Sequence, residues 1–134
     1  MSLNITIPKS DLAKGIPIAN GWAEFEIVAA VARPSKAGDS VNYVVTHKLC
    51  NDINERELDH NFSSKALGMM APWIGALANK PIQEILDSIT TGSLSFDLEQ
   101  QKDKHIMGKV EQQMYEGRIV CKLVDFAPVG KVPF

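Results

Sequence analysis

Hydrophobic and polar positions alternate most cleanly over residues 41–49, with Tyr43, Val45, His47 and Leu49 on one side and Asn42, Val44, Thr46 and Lys48 on the other. That period of two predicts a strand with one face turned to a core. Upstream, Gly21 releases a run over residues 22–32 whose apolar members Phe25, Ile27, Val28 and Val31 predict a strand long enough to curve around a barrel. The intervening residues 33–40 have turn composition, so the two strands form a hairpin. Residues 3–7 alternate briefly as a short strand or arm, and residues 8–17 read as loop. After a turn at residues 51–54, residues 56–62 form a third strand, and Ser63 or Ser64 can cap a helix directly after it.

The period then changes. Leu67, Met70, Trp73, Ile74 and Leu77 recur three or four apart, the signature of one apolar face on a helix over residues 65–79. Pro72 inside it must kink the helix or split it into two. Pro81 starts a second short helix through Ile82, Ile85, Leu86 and Ile89, ended by Thr91 and Gly92. Three strands are readable afterwards, over residues 93–100, 106–113 and 118–126, the first with Leu94, Phe96 and Leu98 inward. The segment 102–105 is then a hairpin or an extended loop, unless residues 96–99 merely lead into the next strand. Residues 115–118, Tyr-Glu-Gly-Arg, make a turn into the last strand, which Pro128 stops.

Composition bounds this to one domain: 134 residues, 45% of them hydrophobic and 22% charged, supply one ordinary core. The first residues lack the basic start and apolar run of a signal peptide, and no stretch approaches the roughly 20 apolar residues of a membrane span. A soluble, intracellular protein is expected. Cys50 and Cys121 stand alone, which favours reduced thiols over a zinc site or a disulfide. The net charge of −2 is unevenly spread. Residues 1–49 carry five basic and four acidic residues, residues 50–101 three and eight, and residues 102–134 six and four. The two ends are therefore mildly basic and the middle acidic. No chemistry emerges from the motifs. The run Asp52, Asn54, Arg56, Glu57 fails a calcium loop at its third ligand and its glycine. His47, His60 and His105 have no metal-ligand spacing and read as surface or strand-edge residues. No GxSxG, Walker or dinucleotide motif is present. The expectation is a protein with no catalytic residues, metal or cofactor.

Taken together, Asn20-Gly21-Trp22 opening the first long strand, Ser64-Lys65-Ala66-Leu67 opening the helix, and residues 115–128 closing the chain resemble a family of phage single-stranded-DNA-binding proteins, over roughly residues 20–128. The resemblance implies a mainly β fold with one inserted helical segment, an OB-like barrel of five or six strands. Residues 1–19 are then an arm or short strand and residues 129–134 a short tail. It implies sequence-independent binding of single-stranded DNA in support of phage replication or recombination, in the cytoplasm of a bacterial host, by a homo-oligomer. By the topology of such barrels, the binding cations are Arg33, Lys36, Lys48, Lys102, Lys104, Lys109, Arg118 and Lys122, and the stacking aromatics Tyr43, Phe62 and Tyr115. Trp22, Phe25, Trp73 and Phe96 are expected in the core. The end of the chain, Val132-Pro133-Phe134, resembles the tail tip by which bacterial single-strand binders recruit replication proteins, with Pro133 and Phe134 as its contacts; Phe134 folding back as a core plug is the alternative. A second class of function stays open: a phage-encoded module that inhibits or adapts a host enzyme through its acidic middle segment.

Overall fold

The computed structural model describes residues 3–8, 16–92 and 94–132. Five strands form one antiparallel sheet: β1 (Gly21–Pro34), β2 (Val41–Leu49), β3 (Glu57–Ser63), β4 (His105–Tyr115) and β5 (Arg118–Ala127). Their order is β3-β2-β1-β4-β5. Between β3 and β4 the chain makes a 3-10 segment (Ser64–Met70) and two short helices, α1 (Ala71–Ala78) and α2 (Ile82–Thr91). The fold is thus mainly β with an inserted helical segment.

β1 is the spine of this sheet. Its residues 21–26 pair with β4, and residues 25–34 pair with β2. A register shift between Ile27 and Ala29 inserts an extra residue, which bends and twists the strand there. The sheet therefore curls. Its outer strands β3 and β5, which run in the same direction, approach until the rings of His60 and Phe126 lie 5.2 Å apart, nearly edge to face. No backbone ladder joins β3 to β5 among the described residues. Side chains alone meet across that gap.

The inward face of the curl carries Phe25, Ile27, Val45, Leu58, Phe62, Ile106, Val110 and Leu123, and the helical segment lays Met70, Trp73 and Ile74 against it. Trp73 is fully buried, 5.3 Å from the Phe62 ring and 5.8 Å from that of Phe96. Apolar area removed from water is what holds these layers together. Gly108 is inward too. A Cβ there would stand 2.8 Å from Leu123 and 3.1 Å from Phe25, so the close approach of those side chains requires glycine. Ile18, only 3% exposed, joins the core from before β1, and its carbonyl accepts from Gln112 Nε2 at 2.9 Å.

Several elements differ from the sequence expectation for identifiable reasons. Pro72 splits the helix rather than kinking it: α1 begins at Ala71, so the proline falls in the first turn, where a missing N–H leaves no bond broken. Ser63 caps the preceding segment, its Oγ accepting from the Lys65 N–H. Leu94, Phe96 and Leu98 pack inward as their alternation predicts, yet residues 94–98 form no strand. The segment 102–104 is a turn from a short 3-10 segment (Glu99–Gln101) into β4, not a hairpin. Only two strands come after the helices among the described residues. Residues 3–8 make no ladder, and Leu3, Ile5 and Ile7 are exposed.

Candidate nucleic-acid interface

The β4–β5 hairpin turns through Glu116 and Gly117, both at positive φ (50° and 80°), the two-residue turn whose twist matches that of the strands. β4 pairs with β1 only as far as Val110, so residues 111–115 and 118–122 project beyond β1 as a two-stranded ribbon. Tyr115 at its tip is 60% exposed, with Arg118 directly opposite. Lys122 faces Glu111 on the same ribbon, and Lys109 stands between Trp22 on β1 and Asp125 on β5.

Trp22 lies on the outward side of β1, because Ala23 and Phe25 take the inward side. The expectation that it belongs to the core is corrected: it is half-buried beside Lys109. Its neighbours alternate in the sequence, and that alternation was the available signal.

The other expected cations fall into place along β1. Arg33 ends the strand and Lys36 sits in the loop after it, both exposed. Lys102 and Lys104 flank the bend in the middle, where Ile27 N–H donates to the Lys104 carbonyl at 2.9 Å and Asp103 N–H donates to the Ile27 carbonyl at 2.7 Å. Arg33, Lys36, Lys102, Lys104, Lys109, Arg118 and Lys122 make no ion pair with a described residue. Lys48 differs. It pairs with Glu55 at 3.5 Å and stands across the ladders from Glu26 and Glu57, so acids surround it and phosphate is disfavoured there.

The aromatics divide in the same way. Phe62 is 3% exposed and packs on Trp73; it has no free face for a base, so its assignment as a stacking residue is corrected to core. Tyr43 is half-buried on the inward face, where it lines a cleft of about 630 Å³ with Ala30, Val31, Phe96, Asp97 and Leu98. A second cleft of about 380 Å³ continues along β1 between Ile27–Ala30 and Lys102. Pro133 and Phe134 lie outside the described residues.

The histidines and the acidic turn carry structural duties. His47 is fully buried, not at a surface or edge: Trp73 Nε1–H donates to its Nε2 at 3.1 Å, and its Nδ1 lies 3.1 Å from the Val45 carbonyl. Burial first, then the nearby His60, push its pKa down to about 4; burial lowers that of His60 as well. The Asp52 carboxylate accepts from the backbone N–H groups of Asn54 and Arg56 and from Arg56 Nε at 2.8 Å. Those bonds, the Arg56 side chain foremost, hold its pKa below the usual carboxylate range. Arg56 also donates to the carbonyls of Ile16 and Pro17. This run is a clasp for the chain entering β1. Cys50 and Cys121 are free and half-buried, and among the described residues no helix is long and apolar enough to cross a membrane.

No protein-family model and no curated protein matches this chain.

Proposed function

We propose that this protein binds single-stranded DNA without sequence preference, in support of phage replication or recombination, and that its curled sheet is an OB-like barrel. Supporting the barrel are the strand order β3-β2-β1-β4-β5, the parallel approach of β3 and β5 at His60 and Phe126, and helices inserted between β3 and β4 that pack beneath the sheet. The observation that carries the binding reading is the recurrence along one strand of cations without an ion-pair partner among the described residues: Lys109 beside Trp22, Lys102 and Lys104 beside Ile27, Arg33 and Lys36 at the far end. From Trp22 to Arg33 β1 spans at most about 36 Å at strand rise. An extended single strand lying along it meets cations near both ends and at the middle, and passes the carboxylates of Glu24 and Glu26 between Trp22 and the Lys102–Lys104 bend. Phosphates are neutralised at the cations, while the exposed Tyr115 and the half-buried Trp22 offer ring surface for stacking.

This path differs from one across β2 and β3. The outward face of that hairpin presents Glu57 and Asp59, with Glu26 adjacent on β1, and repels a phosphate backbone. Backbone amide shifts on addition of oligo-dT discriminate the two paths. Resonances of residues 22, 33, 36, 102–104, 109 and 115–122 move if β1 and the ribbon form the site; shifts confined to residues 57–61 place it on the β2–β3 hairpin.

The ribbon also favours a second reading. Met114 is 70% exposed and Ile119 42%, so its tip offers apolar area to a protein, either another copy of this chain or a host or phage replication protein. A protein interface of this mixed kind loses little affinity with added salt, whereas phosphate contacts lose much.

A further inference from the structure

Three side chains from three neighbouring strand ends converge on the outer side of the sheet. Glu24 projects from β1, Cys50 directly succeeds β2 and donates its backbone N–H to the Glu24 carbonyl at 3.0 Å, and His105 opens β4. His105 Nδ1 lies 2.6 Å from Glu24 Oε2 and 3.6 Å from Cys50 Sγ, and the three ligand atoms all lie within 4.8 Å of one another. We infer that Glu24, Cys50 and His105 form a binding site for a zinc-class divalent cation.

The distances suit the ion. Tetrahedral zinc with Zn–S near 2.3 Å and Zn–N near 2.05 Å sets sulfur and nitrogen about 3.6 Å apart, which is their separation here. The same geometry sets nitrogen and carboxylate oxygen about 3.3 Å apart, so Glu24 has to withdraw by roughly 0.7 Å. Its carboxylate and the imidazole are both partly exposed, which leaves room for that movement. One thiolate, one imidazole and one carboxylate favour zinc or cobalt over magnesium or calcium, which prefer oxygen alone. Three protein ligands leave the fourth position to water. On binding, the thiol proton of Cys50 leaves to solvent, and His105 coordinates through Nδ1 with its remaining proton on Nε2. Affinity therefore climbs with pH as the thiol proton becomes easier to displace.

The ligands come from residues 24, 50 and 105, so no short spacing announces them in the sequence. The backbone ladders bring them together.

The test is a cobalt(II) titration of the full chain, kept reduced with a phosphine. One equivalent should produce a thiolate-to-cobalt charge-transfer band that zinc abolishes and that magnesium and calcium do not. C121S retains the band, C50S loses it, and H105A weakens binding at least tenfold, since even groups that only orient a ligand contribute 10–100-fold. No band, a band that survives in C50S, or unchanged affinity in H105A overturns the inference. X-ray absorption of the zinc-loaded wild type decides the matter independently of how the variants fold. One sulfur near 2.3 Å with nitrogen and oxygen near 2.0–2.1 Å is required, and a shell with no sulfur or two contradicts the site.

Discussion

Acid should loosen this protein through His47 before its carboxylates titrate. The ring is wholly enclosed, stacked at 6.0 Å from Phe126 and edge-on to Phe25 and Trp73. Its Nε2 accepts the Trp73 N–H, so Nδ1 carries the ring proton and donates to the Val45 carbonyl. A second proton would set two donors against each other and bury a charge among apolar rings. The folded pKa is about 4 against an ordinary 6.5, so between those values the unfolded chain holds one more proton than the folded one. Stability then rises with pH, complete above about pH 6.5 and lost as pH falls toward 4. The slope is about 1.4 kcal/mol per pH unit, so roughly 2 kcal/mol disappears between pH 7 and pH 5. His60, also depressed, acts in the same direction. Asp39 and Asp52 have lowered pKa values, so their contribution is lost only as pH falls below the ordinary carboxylate range. Urea denaturation monitored by tryptophan fluorescence at pH 7, 6 and 5 measures the slope. His47→Gln keeps an acceptor for Trp73 without a titrating ring, and the difference in stability between it and the wild type should shrink by about 2 kcal/mol on going from pH 7 to 5. Parallel curves for the two proteins would refute the reasoning.

The same geometry sets other expectations. Gly108→Ala should destabilise by about 1–3 kcal/mol, the cost of forcing Leu123 and Phe25 apart; an unchanged melting temperature contradicts the close packing. Phe62→Ala should cost about 3–5 kcal/mol of stability, whereas Tyr115→Ala should leave the melt alone and weaken oligo-dT binding by about 1–3 kcal/mol, typical of one stacked base. The reverse pattern would exchange their roles. Arg33→Ala with Lys36→Ala should weaken binding and reduce the magnitude of the salt slope by about 1.4, two phosphates at roughly 0.7 each for a single strand; equal slopes place the strand elsewhere.

Much of the fold was legible because it rests on local signals. The alternation of residues 41–49 matches β2 residue for residue, Ser63 announced a cap, and Gly117 in a tight turn announced the last hairpin. What misled was information carried between strands. Residues 94–98 alternate as a strand does, but they cover the core beside Ala30–Ala32 without joining a ladder. His47 reads as polar, yet its partners Trp73 and Val45 make it a core residue. The cations were identifiable by type, but their neighbours depend on register: Lys48 is opposed by Glu26 and Glu57 and pairs with Glu55, while Lys109 stands between Trp22 and Asp125 and makes no ion pair with a described residue. Glu24, Cys50 and His105 likewise meet only through the ladders.

The claim that this surface serves a single strand rests most directly on one titration: fluorescence anisotropy of labelled oligo-dT and of a duplex of equal length, at low salt and then across a salt series. Single-strand binding should be tighter, because the duplex hides its base faces, and log affinity should fall linearly with log salt, at about 0.7 per phosphate contacted. Equal affinity for the duplex, no binding of oligo-dT at low salt, or a flat salt dependence would contradict it.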